Sequence, residues 1–88
     1  MDKRIGVVGI VVEDLESANA VNSILHDYAQ IIVGRMGIPY REKGISVISL
    51  IVDGTSDEIS AMTGKLGKIK TVTVKSAMTK TSRVGEKI

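Results

Sequence analysis

A two-layer α+β fold of order βαββαβ, with four antiparallel strands and two helices on one face of the sheet, is predicted from three observations. Four short stretches are rich in Val and Ile, two intervening stretches repeat their apolar residues at helical spacing, and the two middle strands are separated only by a few polar turn residues. A gap that short holds a hairpin and no helix, which places the helices after the first and third strands.

Arg4 to Val12 reads as the first strand, with Gly6 and Gly9 admitting a close neighbour. Asp14 follows as a helix cap, and Leu15, Ala18, Val21, Ile24, Leu25 and Tyr28 recur along one helical face. Ile31 to Ile38 is the second strand. Pro39 is expected to end its ladder, because proline has no N–H to donate, and Tyr40 to Gly44 forms the hairpin loop. Ile45 to Val52 is the third strand, closed by a turn at Asp53 and Gly54. Thr55 and Glu58 have the spacing of a capping box, which starts a second helix along Ile59, Met62, Leu66 and Ile69, with Gly67 as the expected left-handed stop. Thr71 to Ala77 is the fourth strand.

This order is the ferredoxin-like arrangement, in which the first and third strands are central. Both are apolar on both faces: Val7 and Val11 against Val8 and Ile10, then Val47 and Ile51 against Ile48 and Leu50. Two helices cover one face only. The other is expected to meet another copy, giving a homo-oligomer of at least two chains through either Val8 and Ile48 or Val7 and Val47. Val72 and Val74 alternating with Thr73 and Lys75 suit a half-exposed edge strand. Residues 1–78 form one domain, and the non-periodic "TKTSRVGEKI", residues 79–88, is expected to be a flexible tail.

Composition narrows the chemistry. The chain of 88 residues is 43% hydrophobic, yet has two Tyr, no Phe or Trp and no Cys. The absence of Cys removes disulfides, thiolate nucleophiles, cysteine-held clusters and most structural zinc sites. No metal site and no cofactor is therefore expected. His26 is the only histidine, and its place off the apolar stripe suits a polar helix surface. No apolar run approaches the roughly 20 residues that span a bilayer, and the first strand lacks the form of a signal peptide. A cytoplasmic protein without membrane contact is expected. Residues 1–64 carry five basic and nine acidic side chains, and residues 65–88 carry seven basic and one acidic. A basic end of that kind attracts polyanions or simply solvates a helix end and a strand.

Two short motifs invite chemical readings. Lys43 and Gly44 open the third strand as in RNA-recognition sheets, but the positions that should bear aromatics are aliphatic, so bases have nothing to stack on. "GRMGIPYR", Gly34 to Arg41, resembles the Gly-Arg loop of acylphosphatases, but it falls on the second strand rather than between the first strand and first helix. Asn19 and Asn22 read as solvated residues of helix one. No nucleophile, base and orienting group form a set.

The longer pattern is more specific. "NSILHDYAQIIVGRMGIPYREKGISVISLIVDGTSDEISAMTGKLG" followed by "VTVKSAM" closely resembles the iron-only hydrogenase system regulator family over Arg4 to Met78, with "GRMGIPYREKGIS" its most distinctive run. The resemblance implies an ACT-like domain, related in fold to the ligand-sensing half of the nickel-responsive regulator. It also implies association with hydrogenase maturation genes and a regulatory role; with the residues read above, a noncatalytic domain acting through oligomerisation and effector or protein binding is expected. Arg35, Met36, Tyr40, Arg41 and His26 are the candidate effector or interface residues. Arg35 is expected to pair with Glu42 or Asp53 of a partner copy. The alternative is a nucleic-acid-binding regulator using Lys65 to Arg83, and a remote one an acylphosphatase-like hydrolase.

Overall fold

The computed structural model describes residues 3–79. Four strands, β1 (Lys3–Val12), β2 (Ile32–Tyr40), β3 (Ile45–Thr55) and β4 (Val72–Met78), form one antiparallel sheet in the order β2-β3-β1-β4. Helices α1 (Ala18–Asp27) and α2 (Ser56–Gly67) follow β1 and β3 and pack on one side. The ferredoxin-like prediction, with the first and third strands central, is what the chain forms.

The core lies between sheet and helices. Val8, Ile10 and Val12 of β1, Ile48, Leu50 and Val52 of β3, and Val72 of β4 meet Val21 and Leu25 of α1 and Ile59, Met62 and Leu66 of α2. The register sets the faces. Val8 is opposite Leu50 and Ile10 opposite Ile48, all pointing at the helices, so Val7 opposite Ile51 and Val11 opposite Val47 point the other way. Of the two sets open at the sequence level, Val8 and Ile48 are buried in the core and cannot serve as an interface; Val7 and Val47 stand on the uncovered face.

Several boundaries differ from expectation, each for a local reason. Pro39 does not end β2: it lies in the ladder opposite Ser46, which an edge strand tolerates. The hairpin is a single 3-10 turn, Arg41–Lys43, closed by Gly44 at φ 67°, the left-handed conformation glycine adopts most readily. Asp53 and Gly54 are strand rather than turn, because β1 starts early enough to pair Ile5 with Asp53 and Arg4 with Gly54. Gly54 has no side chain for a steric reason. A Cβ there would lie 2.9 Å from Ile31 Cγ2 and 3.2 Å from Glu58 Oε1.

Asp14 caps a 3-10 turn, Leu15–Ser17, accepting from the Glu16 N–H at 2.9 Å, and the α-helix proper starts at Ala18. Leu15 consequently points into solvent instead of joining the apolar stripe. The capping box of α2 is complete: Thr55 Oγ1 accepts from the Glu58 N–H at 3.1 Å, while the Thr55 N–H donates to Glu58 Oε1 at 2.9 Å. Gly67 does not take the left-handed stop; α2 ends through Lys68 in right-handed geometry. Thr79, expected to begin the tail, is still bound to β1, its N–H donating to the Ile5 carbonyl at 2.9 Å. The rest of the expected tail lies outside the described residues. Among those, no helix is long and apolar enough to cross a membrane.

Candidate functional site

β2 is an edge strand paired with β3 alone, and its alternation is broken once. The register slips between Ile32 and Gly34, leaving Val33 without a partner in β3. Simple alternation would put Ile32 on the same side as Gly34 and Met36. The bulge reverses this: Ile32 is opposite Val52 and packs against the core, while Gly34 is opposite Ile51 on the uncovered face. Beyond the bulge, Met36, Ile38 and Tyr40 share that face, and Arg35 points to the helix side.

The uncovered face is ordered in rows by the three registers. Gly34, Ile51, Val7 and Ala77 form one row; Met36, Ser49, Gly9 and Lys75 the next; Ile38, Val47, Val11 and Thr73 a third. Large aliphatic groups thus surround a centre of small residues, Gly9 and Ser49. Met36 is 65% exposed, Ile38 57%, Ile51 50% and Val7 49%, a contiguous apolar surface rather than scattered side chains. A hollow of about 240 Å³, lined by Gly34, Arg35, Met36, Ser49 and Ile51, opens on it.

On the helix side of the same strand, a groove of about 480 Å³ runs between α1 and β2. Asn22 and His26, four residues apart on α1, form one wall together with Leu25 and Ala29, and Ile32, Val33 and Arg35 line the other. Arg35 Nη2 donates to Asn22 Oδ1 at 3.2 Å. The sequence-level candidates are therefore divided. His26 and Arg35 come together in the groove, Met36 and Tyr40 lie on the uncovered sheet face, and Arg41 is exposed in the hairpin turn at the far end of β2. Within the chain Arg35 is held by an amide.

Asn22 is exposed, as the sequence suggests, but its contact with Arg35 was not foreseen. Its contact depends on how closely α1 approaches β2, and no local spacing encodes that. Sequence reasoning also omitted Ile5 and Ile38 from the face, although the period of two from Val7 leads directly to Ile5. At the basic end, the Lys65 ammonium lies 5.1 Å from the centre of the Tyr28 ring. A hydrogen bond donated by the Lys65 ammonium to the Tyr28 oxygen, followed by electrostatic attraction to the same group, holds Lys65 above the usual lysine value. Among the described residues, no group of three or more His, Cys, Asp or Glu side chains could hold a metal ion.

Solved structures with the same fold are informative at different depths. An uncharacterized protein, TM1266 from Thermotoga maritima, is 41% identical, with 90% of this chain and all of that one aligned and a TM-score of 0.84. The ACT domain from GTP pyrophosphokinase of Chlorobium tepidum is 21% identical over 88% of this chain and 89% of its own, with a TM-score of 0.69. The apo form of CPII from Thiomonas intermedia K12, a nitrogen regulatory PII-like protein, is 8% identical over 86% of this chain and 91% of its own, with a TM-score of 0.53. At such low identity the last two establish the fold alone. No curated protein matches the chain. A family model does match, over residues 4–76, so the chain belongs to the TM1266-like family, described as "Iron-only hydrogenase system regulator, putative".

Proposed function

We propose that this chain is a noncatalytic regulatory domain of the iron-only hydrogenase system that assembles through its uncovered sheet face and responds to an effector or a protein partner. The observation that carries the reading is the apolar face itself. Ile5, Val7, Val47, Ile51, Met36 and Ile38 are all exposed on a sheet whose other side is already closed by helices. Burying one such side chain fully is worth about 1.5 to 3 kcal/mol. The rows around Gly9 and Ser49 carry a single charge, Lys75 at the β4 margin, with Asp53 opposite Ile5 at the end of the face, so little at its centre stands against dry packing of one copy on another.

Static light scattering at low micromolar concentration tests this. The native chain is expected to run as a dimer or larger, and Val7→Glu with Val47→Glu as a folded monomer. A native chain that stays monomeric and folded refutes the reading. The family description supports the hydrogenase context, which pull-down from cells expressing the maturation system examines directly.

The charge asymmetry supports a second reading, direct binding of nucleic acid by the basic end. Lys65, Lys68, Lys70 and Lys75 belong to the described part, with Lys80 and Arg83 beyond it. Lys65 is already engaged with Tyr28, and the sheet offers no aromatic stack at its centre. The acylphosphatase-like alternative has less support, because Gly34 to Gly37 are paired strand residues rather than a loop free to wrap a phosphate.

A further inference from the structure

We infer that the groove between α1 and β2 is a binding site for a small organic anion, an oxyanion head gripped by Arg35 beside Asn22 and His26 with an apolar body laid on Leu25, Ala29, Ile32 and Val33. This rests on the regulatory reading and supplies it with an effector class.

Three features of the groove agree on that chemistry. Arg35 is oriented but not neutralised: among the described residues its partner is the Asn22 carbonyl oxygen, at 3.2 Å, and no carboxylate lines the groove. A guanidinium fixed in this way by one N–H keeps its remaining donors for a ligand, and its planar fork matches a carboxylate or phosphate with two parallel hydrogen bonds. Because Asn22 accepts through its oxygen, its NH2 is turned to donate, and His26 adds a further donor one helical turn along α1. All three polar groups therefore favour a negatively charged oxygen.

The remaining lining is aliphatic, so the groove, about 480 Å³ and open to solvent, offers an apolar wall beside the three polar groups. The bulge is what makes the two halves meet. It turns Ile32 inward and frees Val33 from the ladder, so an apolar pair precedes Arg35 on the groove wall. An anion with a short hydrocarbon body satisfies both halves, whereas a bare ion leaves the apolar half wet.

The site also lies back to back with the proposed interface. Gly34 and Arg35 line both the groove and the hollow on the uncovered face.

Titration with sodium butyrate and with sodium acetate, followed by amide chemical shifts of the full chain, tests the inference. Saturable shifts at Asn22, His26, Gly34 and Arg35 are expected, with butyrate binding about tenfold more tightly than acetate. Arg35→Gln should weaken butyrate at least tenfold while the remaining spectrum keeps its folded dispersion, and Arg41→Gln should leave it unchanged. Non-saturating shifts, equal affinity for the two acids, or equal loss in both arginine variants would overturn it. Light scattering on the same samples keeps the two readings separable: assembly without butyrate binding sinks the anion site alone, and a monomer that binds butyrate sinks the interface alone.

Discussion

Arg35 and Met36 are adjacent in the chain and serve opposite sides of the sheet: the guanidinium bonds Asn22 of α1 at 3.2 Å, and the thioether stands opposite Ser49 on the uncovered face. One peptide bond thus separates a cationic groove from an apolar surface. Substitutions at these two positions should dissociate cleanly, Arg35 affecting anion binding and Met36 affecting assembly.

The two faces of the central strands should respond differently to the same change. Val7→Glu and Val47→Glu introduce charges where water already reaches and should leave urea midpoints nearly unchanged once the chain is monomeric. Val8→Glu and Ile48→Glu place a carboxylate among buried aliphatics and should abolish cooperative unfolding. Ile48→Ala, a milder probe, should cost about 2 to 5 kcal/mol. Similar losses from both sets would mean that the uncovered face is also structural within one chain.

Glycine-to-alanine substitutions form a graded series. At Gly6 a Cβ would lie 2.5 Å from the Ala77 carbonyl oxygen, a backbone atom that moves only if β4 moves. At Gly54 the obstacle is mainly the Ile31 side chain, 2.9 Å away. At Gly64, in α2, a Cβ meets nothing within 4 Å. Thermal or urea unfolding should therefore place Gly6→Ala as the most destabilising and Gly54→Ala next, at roughly 1 to 3 kcal/mol. Gly64→Ala should stabilise by about 0.5 to 1 kcal/mol. Ile31→Ala, which removes the obstructing Cγ2 methyl, should cost less in the Gly54→Ala background than in the native chain and show no such coupling with Gly6→Ala.

The α2 capping box gives the fold an acid-sensitive component. Glu58 is held below the usual carboxylate value, first by the Thr55 backbone N–H and then by the Thr55 hydroxyl. A lowered folded pKa means that this stabilisation is present above the unfolded carboxylate pKa and lost as pH falls through the folded one. Glu58→Gln should flatten that part of the stability profile on the acid side of pH 5. Thr55→Ala should lower stability at neutral pH by about 1 kcal/mol. An unchanged acid limb in Glu58→Gln would show that the carboxylate's hydrogen bonds do not persist in solution.

Duplex DNA from a hydrogenase operon, titrated at increasing salt, separates the two regulatory readings. Weak binding that vanishes by physiological salt is expected of incidental contact by Lys68, Lys70 and Lys75. Tight, sequence-specific binding with a steep salt slope would favour the nucleic-acid reading instead.

What the sequence made legible was whatever depends on short range. The capping box, the core stripes of both helices and the central placement of β1 and β3 all follow from residue spacing. The errors arose where a partner strand overruled local preference. Asp53 and Gly54 look like a turn but are held extended by Ile5 and Arg4, and Pro39 looks like a terminator but sits in an edge strand. Which face of the sheet was open could not be read, because both sets on β1 and β3 are aliphatic; only the helices' position decides. The groove was half visible, in Arg35 and His26. Its assembly depends on the bulge at Val33, which leaves no mark in the alternation of a strand that is apolar or glycine at most positions.

That bulge, with Pro39 near the other end of β2, also bears on how the molecule fails. A strand from a second molecule laid along this margin would meet an extra residue at one end and a missing N–H at the other, so the sheet cannot be prolonged in register from chain to chain. Strand-to-strand association along β2 is thereby disfavoured, even in a crowded or overexpressed preparation.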